Sequence, residues 1–193
     1  ISACLVGSEM CIRDRTITLN DNSATFTGSA AVMKAAFAGG LQGTQTGAVT
    51  ISDTTGTIAA TTLTDITAQT NGTVTAAEAD ITISGTTEQV TAAIVTEETK
   101  AVMVNGKVYL SDTGTVAATV LSGIGETTGG VVTVNGAMTI TGTTEQLTTA
   151  LITEESKVIA TSANVTFTDN PTGAQLAAIN PKVGGTITLN QVA

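Results

Sequence analysis

The chain has 193 residues and a net charge of −9, with 41% hydrophobic but only 2% aromatic residues. An acidic chain with so few basic side chains lacks the positive patches that nucleic-acid phosphates require. No stretch approaches the roughly 18 consecutive apolar residues of a membrane span, and a core of Val, Ile, Ala and Thr without large aromatics is a narrow one.

Residues 1–15 (ISACLVGSEMCIRDR) differ from everything after them, because they hold both cysteines (Cys4, Cys11) and both arginines (Arg13, Arg15). The segment LVGSEMCIRD at 5–14 resembles a translated sequencing adapter. A signal peptide is a poor alternative, since its charges should precede a longer apolar stretch. Residues 1–15 are therefore set aside as a leader unrelated to the fold, and residues 16–193 are expected to form one repeat domain cut from a longer protein. The leader is neutral, so the whole charge lies in the body, where 5 Lys against 14 Asp and Glu give 5 − 14 = −9.

The body repeats. ITISGTTEQVTAAIVTEETK at 81–100 returns as MTITGTTEQLTTALITEESK at 138–157, a register of 138 − 81 = 57 residues. Approximate copies fall at 16–71, 72–128 and 129–184, with a fourth beginning at 185–193. Each copy divides into a Gly-type and an Asp-type half. The segments ATFTG (24–28), VTISD (49–53), ITISG (81–85), VYLSD (108–112), MTITG (138–142) and VTFTD (165–169) alternate apolar and polar residues with the period of a half-buried strand. Phe26, Ile51, Ile83, Leu110, Ile140 and Phe167 are expected to point inward.

Helices are expected after these strands. Thr86 and Thr143 precede Gln89 and Gln146 by three residues, the capping-box spacing. The following stripes are Val90, Ala93, Ile94 and Leu147, Ala150, Leu151, with Met33, Ala36, Phe37 as a looser equivalent. In the Asp-type halves Asp53, Asp112 and Asp169 stand where caps of the next helices would be, ahead of the pairs Leu63/Ile66, Leu121/Ile124 and Leu176/Ile179. A second short strand precedes each of the six segments, with Asn105-Gly106 and Asn135-Gly136 as turns between.

The expected fold class is thus an α/β repeat. It is expected to be a β-helix-like solenoid with two short strands and one short helix per roughly 28-residue coil, about six coils in all. The alternative is a set of tandem β-hairpin–helix units closed at the Asn-Gly turns.

With no histidine or cysteine in the body, zinc sites, Cys-His nucleophiles and Ser-His triads are excluded there. The remaining acids mostly obey the repeat: Glu88 matches Glu145, Glu97-Glu98 matches Glu154-Glu155, and Asp53 matches Asp112 and Asp169. An active site is a departure from a repeat, so no catalytic residue is assigned and no enzyme is expected. No cofactor is expected either. Calcium on the Asp53, Asp112, Asp169 column is the lesser reading, because one acid per turn falls short of the six to eight oxygens that ion takes. Outward Thr-x-Thr pairs at 16/18, 25/27, 73/75, 139/141, 166/168 and 186/188 invite an ice-binding reading. Threonine's preference for strand surfaces explains them more simply.

The alternation of TTEQ(V/L)TxA helices with (S/T)D-ending strands resembles the repeat arrays of very large secreted bacterial surface proteins. The resemblance implies an extracellular or cell-surface spacer or stalk without catalysis, whose partners are neighbouring repeats of the same longer chain. A ligand-binding adhesin segment, for a glycan or calcium, is the alternative.

Overall fold

In a computed structural model of the chain, the described residues are 17–18, 21–38, 41–42, 44–76, 80–96, 101–103, 105–135 and 138–190. Side chains at 17, 18, 41 and 42 are outside that description, as are residues 1–15 and the pair Glu97-Glu98. In chain order the elements are β1 (Ile17–Thr18), β2 (Phe26–Gly28), α1 (Ala30–Ala38), β3 (Leu41–Gln42), β4 (Val49–Ile51), β5 (Thr55–Ala59) and α2 (Ala60–Thr67). Next come β6 (Val74–Ala76), β7 (Asp80–Gly85), α3 (Thr87–Val90), β8 (Ala101–Met103), β9 (Lys107–Leu110), β10 (Thr115–Ala117) and α4 (Ala118–Thr127). The last are β11 (Val132–Val134), β12 (Thr139–Gly142), α5 (Thr144–Leu151), β13 (Val158–Ile159), β14 (Asn164–Phe167), α6 (Gly173–Ile179) and β15 (Ile187–Leu189).

This is an α/β fold of three parallel sheets, in the orders β2-β4-β6-β8, β5-β7-β9-β11-β13 and β10-β12-β14-β15, with β1-β3 as a further pair. The expected solenoid does not form: the sheets do not close on one another as coils of two strands and a helix. Two physical reasons are visible. The paired strands lie 22 residues apart (Val165↔Ile187) to 27 apart (Val74↔Ala101), less than half of the 57-residue repeat. The Gly-type and Asp-type segments of one copy lie side by side, the next strand of each ladder is a short one, and the corresponding segments of different copies therefore do not stack on each other. Moreover, the segments TGTIA and the Thr115–Ala117 part of TGTVA form extra strands, β5 and β10, that lead directly into α2 and α4. The hairpin alternative fails as well, because every ladder among the described strands is parallel. The strands on either side of Asn105-Gly106 belong to different sheets. So do those flanking Asn135, although Gly136 lies outside the described residues.

The sheets obey one rule. Each collects its strands in the same order: a TGT(I/V)A strand, the Gly-type segment, the Asp-type segment, and then two short strands. The five-stranded sheet contains all five members. The sheet led by β2 lacks the first member, the sheet ending in β15 lacks the fifth, and β1-β3 supplies the fourth and fifth alone. Gly28, Gly85 and Gly142 accordingly face Ile51, Leu110 and Phe167 across their ladders.

Alternation decides which face is buried. Ile51, Ile83, Leu110, Ile140 and Phe167 are at most 2% exposed, while Phe26 is partly buried and packs edge-on against Phe37, with ring centroids 5.7 Å apart. The helical stripes lie against this face, and Leu63, Ile66, Val90, Leu121, Ile124, Leu147 and Ile179 are fully buried. In α1 the buried set is Ala30, Met33 and Phe37, with Ala36 exposed instead. Consecutive helices touch along the chain, from α1·α2 to α5·α6. One contiguous core runs from Ala30 to Val183.

Candidate functional site

The aspartate column occupies a different place from the one its sequence position implies. Each Asp-type strand lies parallel to the preceding Gly-type strand, which brings its aspartate over the start of the helix that follows the Gly-type strand. Asp53 Oδ2 accepts from the Ala30 N–H of α1 at 2.6 Å. Asp112 Oδ2 accepts from the Thr87 N–H and the Thr87 hydroxyl, both at 2.7 Å. Asp169 accepts from the Thr144 N–H at 2.8 and 3.0 Å and from the Thr144 hydroxyl at 2.7 Å. These three residues do cap helices, but helices 23 or 25 residues earlier in the chain. A carboxylate there also meets the positive end of the helix dipole.

The capping boxes sit beside them. Thr86 accepts from the Gln89 N–H at 3.2 Å while Gln89 Oε1 accepts from the Thr86 N–H at 3.0 Å. Thr143 and Gln146 repeat this geometry, and Glu88 and Glu145 lie in the first turns. A third box, Thr172 with Gln175, opens α6. Sequence reasoning missed it, although the T-x-x-Q spacing that signals it is present. By contrast, α2 and α4 begin at Ala59 and Ala117 with no side-chain cap.

An open groove lies between α3 and β10, and another between α1 and β5. One, of about 550 Å³, is lined by Thr87, Thr91, Asp112, Val116 and Val120. The other, of about 500 Å³, is lined by the repeat-equivalent Ala30, Lys34, Asp53, Ile58 and Thr62. The grooves depend on β5 and β10, whose sequences read as parts of helices and turns, so nothing local announces them. Their walls are mostly alanine and threonine, with Val116 and Val120 in the first and Ile58 in the second, and the charged side chains are Glu88 and Asp112 in the first and Lys34 and Asp53 in the second. Lys34, at the rim, is paired with Asp65 at 2.6 Å. Among the described residues no group of three or more His, Cys, Asp or Glu converges in the geometry of a metal site.

The outward threonines form short rows. Thr27, Thr50, Thr75 and then Val102 face one another across the first large sheet, and Thr141, Thr166 and Thr188 across the last. On the five-stranded sheet the corresponding row is Ala59, Ser84, Tyr109, Thr133 and Ile159. Tyr109 is 41% exposed. It lies away from both grooves, and a lone ring offers a glycan only one stacking face. Near the start of the described chain, Asp21 accepts hydrogen bonds from the Ser23 hydroxyl and the Ser23 N–H, which hold its carboxyl below the usual aspartate range.

No protein-family model matches this chain, and no curated protein or solved structure matches it either. No helix among the described residues is long and apolar enough to cross a membrane.

Proposed function

We propose that the chain is a structural spacer or stalk segment of a larger bacterial cell-surface or secreted protein, acting without catalysis. The observation that supports this most is the aspartate column. At three equivalent places an acid of the kind that could serve a ligand instead binds the N–H of a helix on the neighbouring strand's side. The repeated polar groups thus tie successive segments together. A stalk needs this property, because force applied at one segment then reaches the next through hydrogen bonds and a shared core.

Single-molecule pulling tests the reading. Repeated unfolding steps are expected, each releasing at most roughly 190–205 Å for a 57-residue repeat at 3.3–3.6 Å per residue. A featureless extension at low force would remove the stalk assignment.

The second reading, a ligand-binding adhesin segment, draws on the two equivalent grooves. A ligand that binds only the folded chain raises its melting temperature by mass action. Melting with millimolar calcium, and separately over a panel of glycans, separates the readings. The spacer is expected to show no shift with any of them, whereas a saturable shift that is lost in Val116→Lys would move the assignment to the groove.

A further inference from the structure

Strands β5 and β10 lie well inside the chain, and each stands at one end of its sheet with a described partner on one side only. On the other side is a helix, α1 beside β5 and α3 beside β10, and the two grooves occupy the space between. Three consecutive residues of β10, Thr115 to Ala117, line the groove beside α3. A groove over a sheet face would touch alternate residues, so one that touches three in a row runs along the edge of the strand.

That edge presents main-chain groups. The Thr139 N–H donates to the Gly114 carbonyl at 2.9 Å, which turns the groups of Gly114 and Val116 toward β12. Main-chain groups alternate sides along a strand of a parallel ladder. The N–H and C=O of Thr115 and the N–H of Ala117 therefore face the groove.

The opposite wall departs from the repeat. After Val90, helix α3 passes into a π-helical turn, Thr91–Val95, whereas its counterpart α5 runs on as α-helix to Leu151. Such turns occur often at functional sites. The Thr91 hydroxyl oxygen is buried in this wall and has no hydrogen-bond partner among the described residues. The charged residues of the groove, Glu88 and Asp112, are both acids. At the 57-residue offset the groove beside α1 has Ala31 in place of Glu88 and Lys34 in place of Thr91. The two grooves share a position in the repeat and differ in charge.

We propose that the groove between α3 and β10 binds an extended peptide that carries a lysine or arginine. The peptide lies along β10 as an added strand, its main chain bonded to Thr115 and Ala117. Its cation faces Glu88 and Asp112. Asp112 keeps its bonds to Thr87, and Glu88, exposed at the rim, supplies the charge that is free to turn toward the ligand. Lys34 repels the same cation from the groove beside α1. A stalk segment can carry such a site with no change to its structural role.

NMR titration of the isotope-labelled full chain with the blocked peptide acetyl-VTKVT-amide tests this. Saturable shifts are expected at the amides of Thr91, Thr115 and Ala117, with half-saturation near about 1 mM and weaker binding as salt rises. Neither acetyl-VTEVT-amide nor blocked lysine alone, which has the charge without the strand, is expected to shift them. Glu88→Ala should weaken binding roughly two- to five-fold, the effect of an exposed ion pair. Thr115→Pro removes an N–H that faces the groove and should abolish binding. Thr91→Lys gives this groove the cation of the other and should abolish it too, which decides the question if the proline variant does not fold. A wild type without saturable shifts overturns the proposal. So do equal shifts with the glutamate peptide or with blocked lysine, unchanged binding in Glu88→Ala, or binding that survives in Thr91→Lys.

Discussion

Helices α3 and α5 pack into the core as α2 and α4 do, yet the two classes begin in opposite ways. The first class starts with a threonine–glutamine box and a carboxylate delivered from a later strand. The second starts at a bare alanine, directly after a strand. In α2 and α4 the chain direction at the helix start is imposed by β5 and β10, whose ladders to β7 and β12 hold the backbone up to Ala59 and Ala117. A helix whose entry is held by a sheet can dispense with a cap. Helices α3 and α5 also follow strands, β7 and β12, but one residue lies between, and that residue, Thr86 or Thr143, bonds a first-turn N–H with its side chain. The third Asp-type half supports the same logic: it has no such strand among the described residues, and α6 has its own box.

The largest effects should not distinguish the classes. Leu121→Ala in α4 and Leu147→Ala in α5 each empty a fully buried site and should each cost about 2–5 kcal/mol in urea unfolding. A difference well beyond that range would mean that one helix packs less firmly than its burial indicates.

The next effect should be confined to the capped class. Asp112→Ala and Asp169→Ala strip a charged acceptor from a helix N–H and a threonine hydroxyl, an expected loss of about 1–3 kcal/mol in the same urea unfolding. Asp53→Ala, with only one such N–H, should lose less. Equal losses at all three would show that the hydroxyl bonds contribute nothing.

Smaller still are the entries to α2 and α4. Gly56 in β5 has φ 100°, whereas Gly114, just before β10, has open space and no positive φ. Gly56→Ala should cost about 1–2 kcal/mol, and Gly114→Ala should be neutral or mildly stabilising by about 0.4–1 kcal/mol. The smallest change adds what α4 lacks. Ala117→Asp places a cap at an exposed N-cap residue and should gain about 0.5–1 kcal/mol, measurable as a rise in melting temperature. No gain would show that β10 already orders that turn completely.

Much of this is legible in the sequence because it is local. The capping boxes at Thr86 and Thr143, the inward set from Ile51 to Phe167 and the stripes beginning at Val90 and Leu147 depend on spacings of two to four residues, and the structure has them. Pairing is not legible in the same way. The solenoid expectation divides a 57-residue repeat into two equal coils. The strands instead pair at offsets such as 51 − 28 = 23 and 110 − 85 = 25, while β5 and β10 lengthen the return to the next Gly-type segment, as in 85 − 51 = 34 and 142 − 110 = 32. Asp53, Asp112 and Asp169 are recognisable as cap-forming residues, but the helices they cap are chosen by that offset.

The corners show the same division. Thr70 donates to the Gln45 and Gly47 carbonyls and accepts from the Gly72 N–H, and its equivalent Thr128 binds the Gly106 carbonyl and the Gly130 N–H. A Cβ at Gly72 would run into the Gly47 carbonyl oxygen, and one at Gly130 into that of Gly106. These glycines stand among many in the sequence, and only the close passage of neighbouring backbone marks them as necessary. By itself the sequence determined the repeat, the buried face of each strand and helix, and the residues able to cap. Tertiary structure decided which strand lies beside which, and hence which helix each aspartate reaches. Side-chain periodicity is written within a few residues of chain, whereas ladder register depends on how much chain is spent between one strand and its partner.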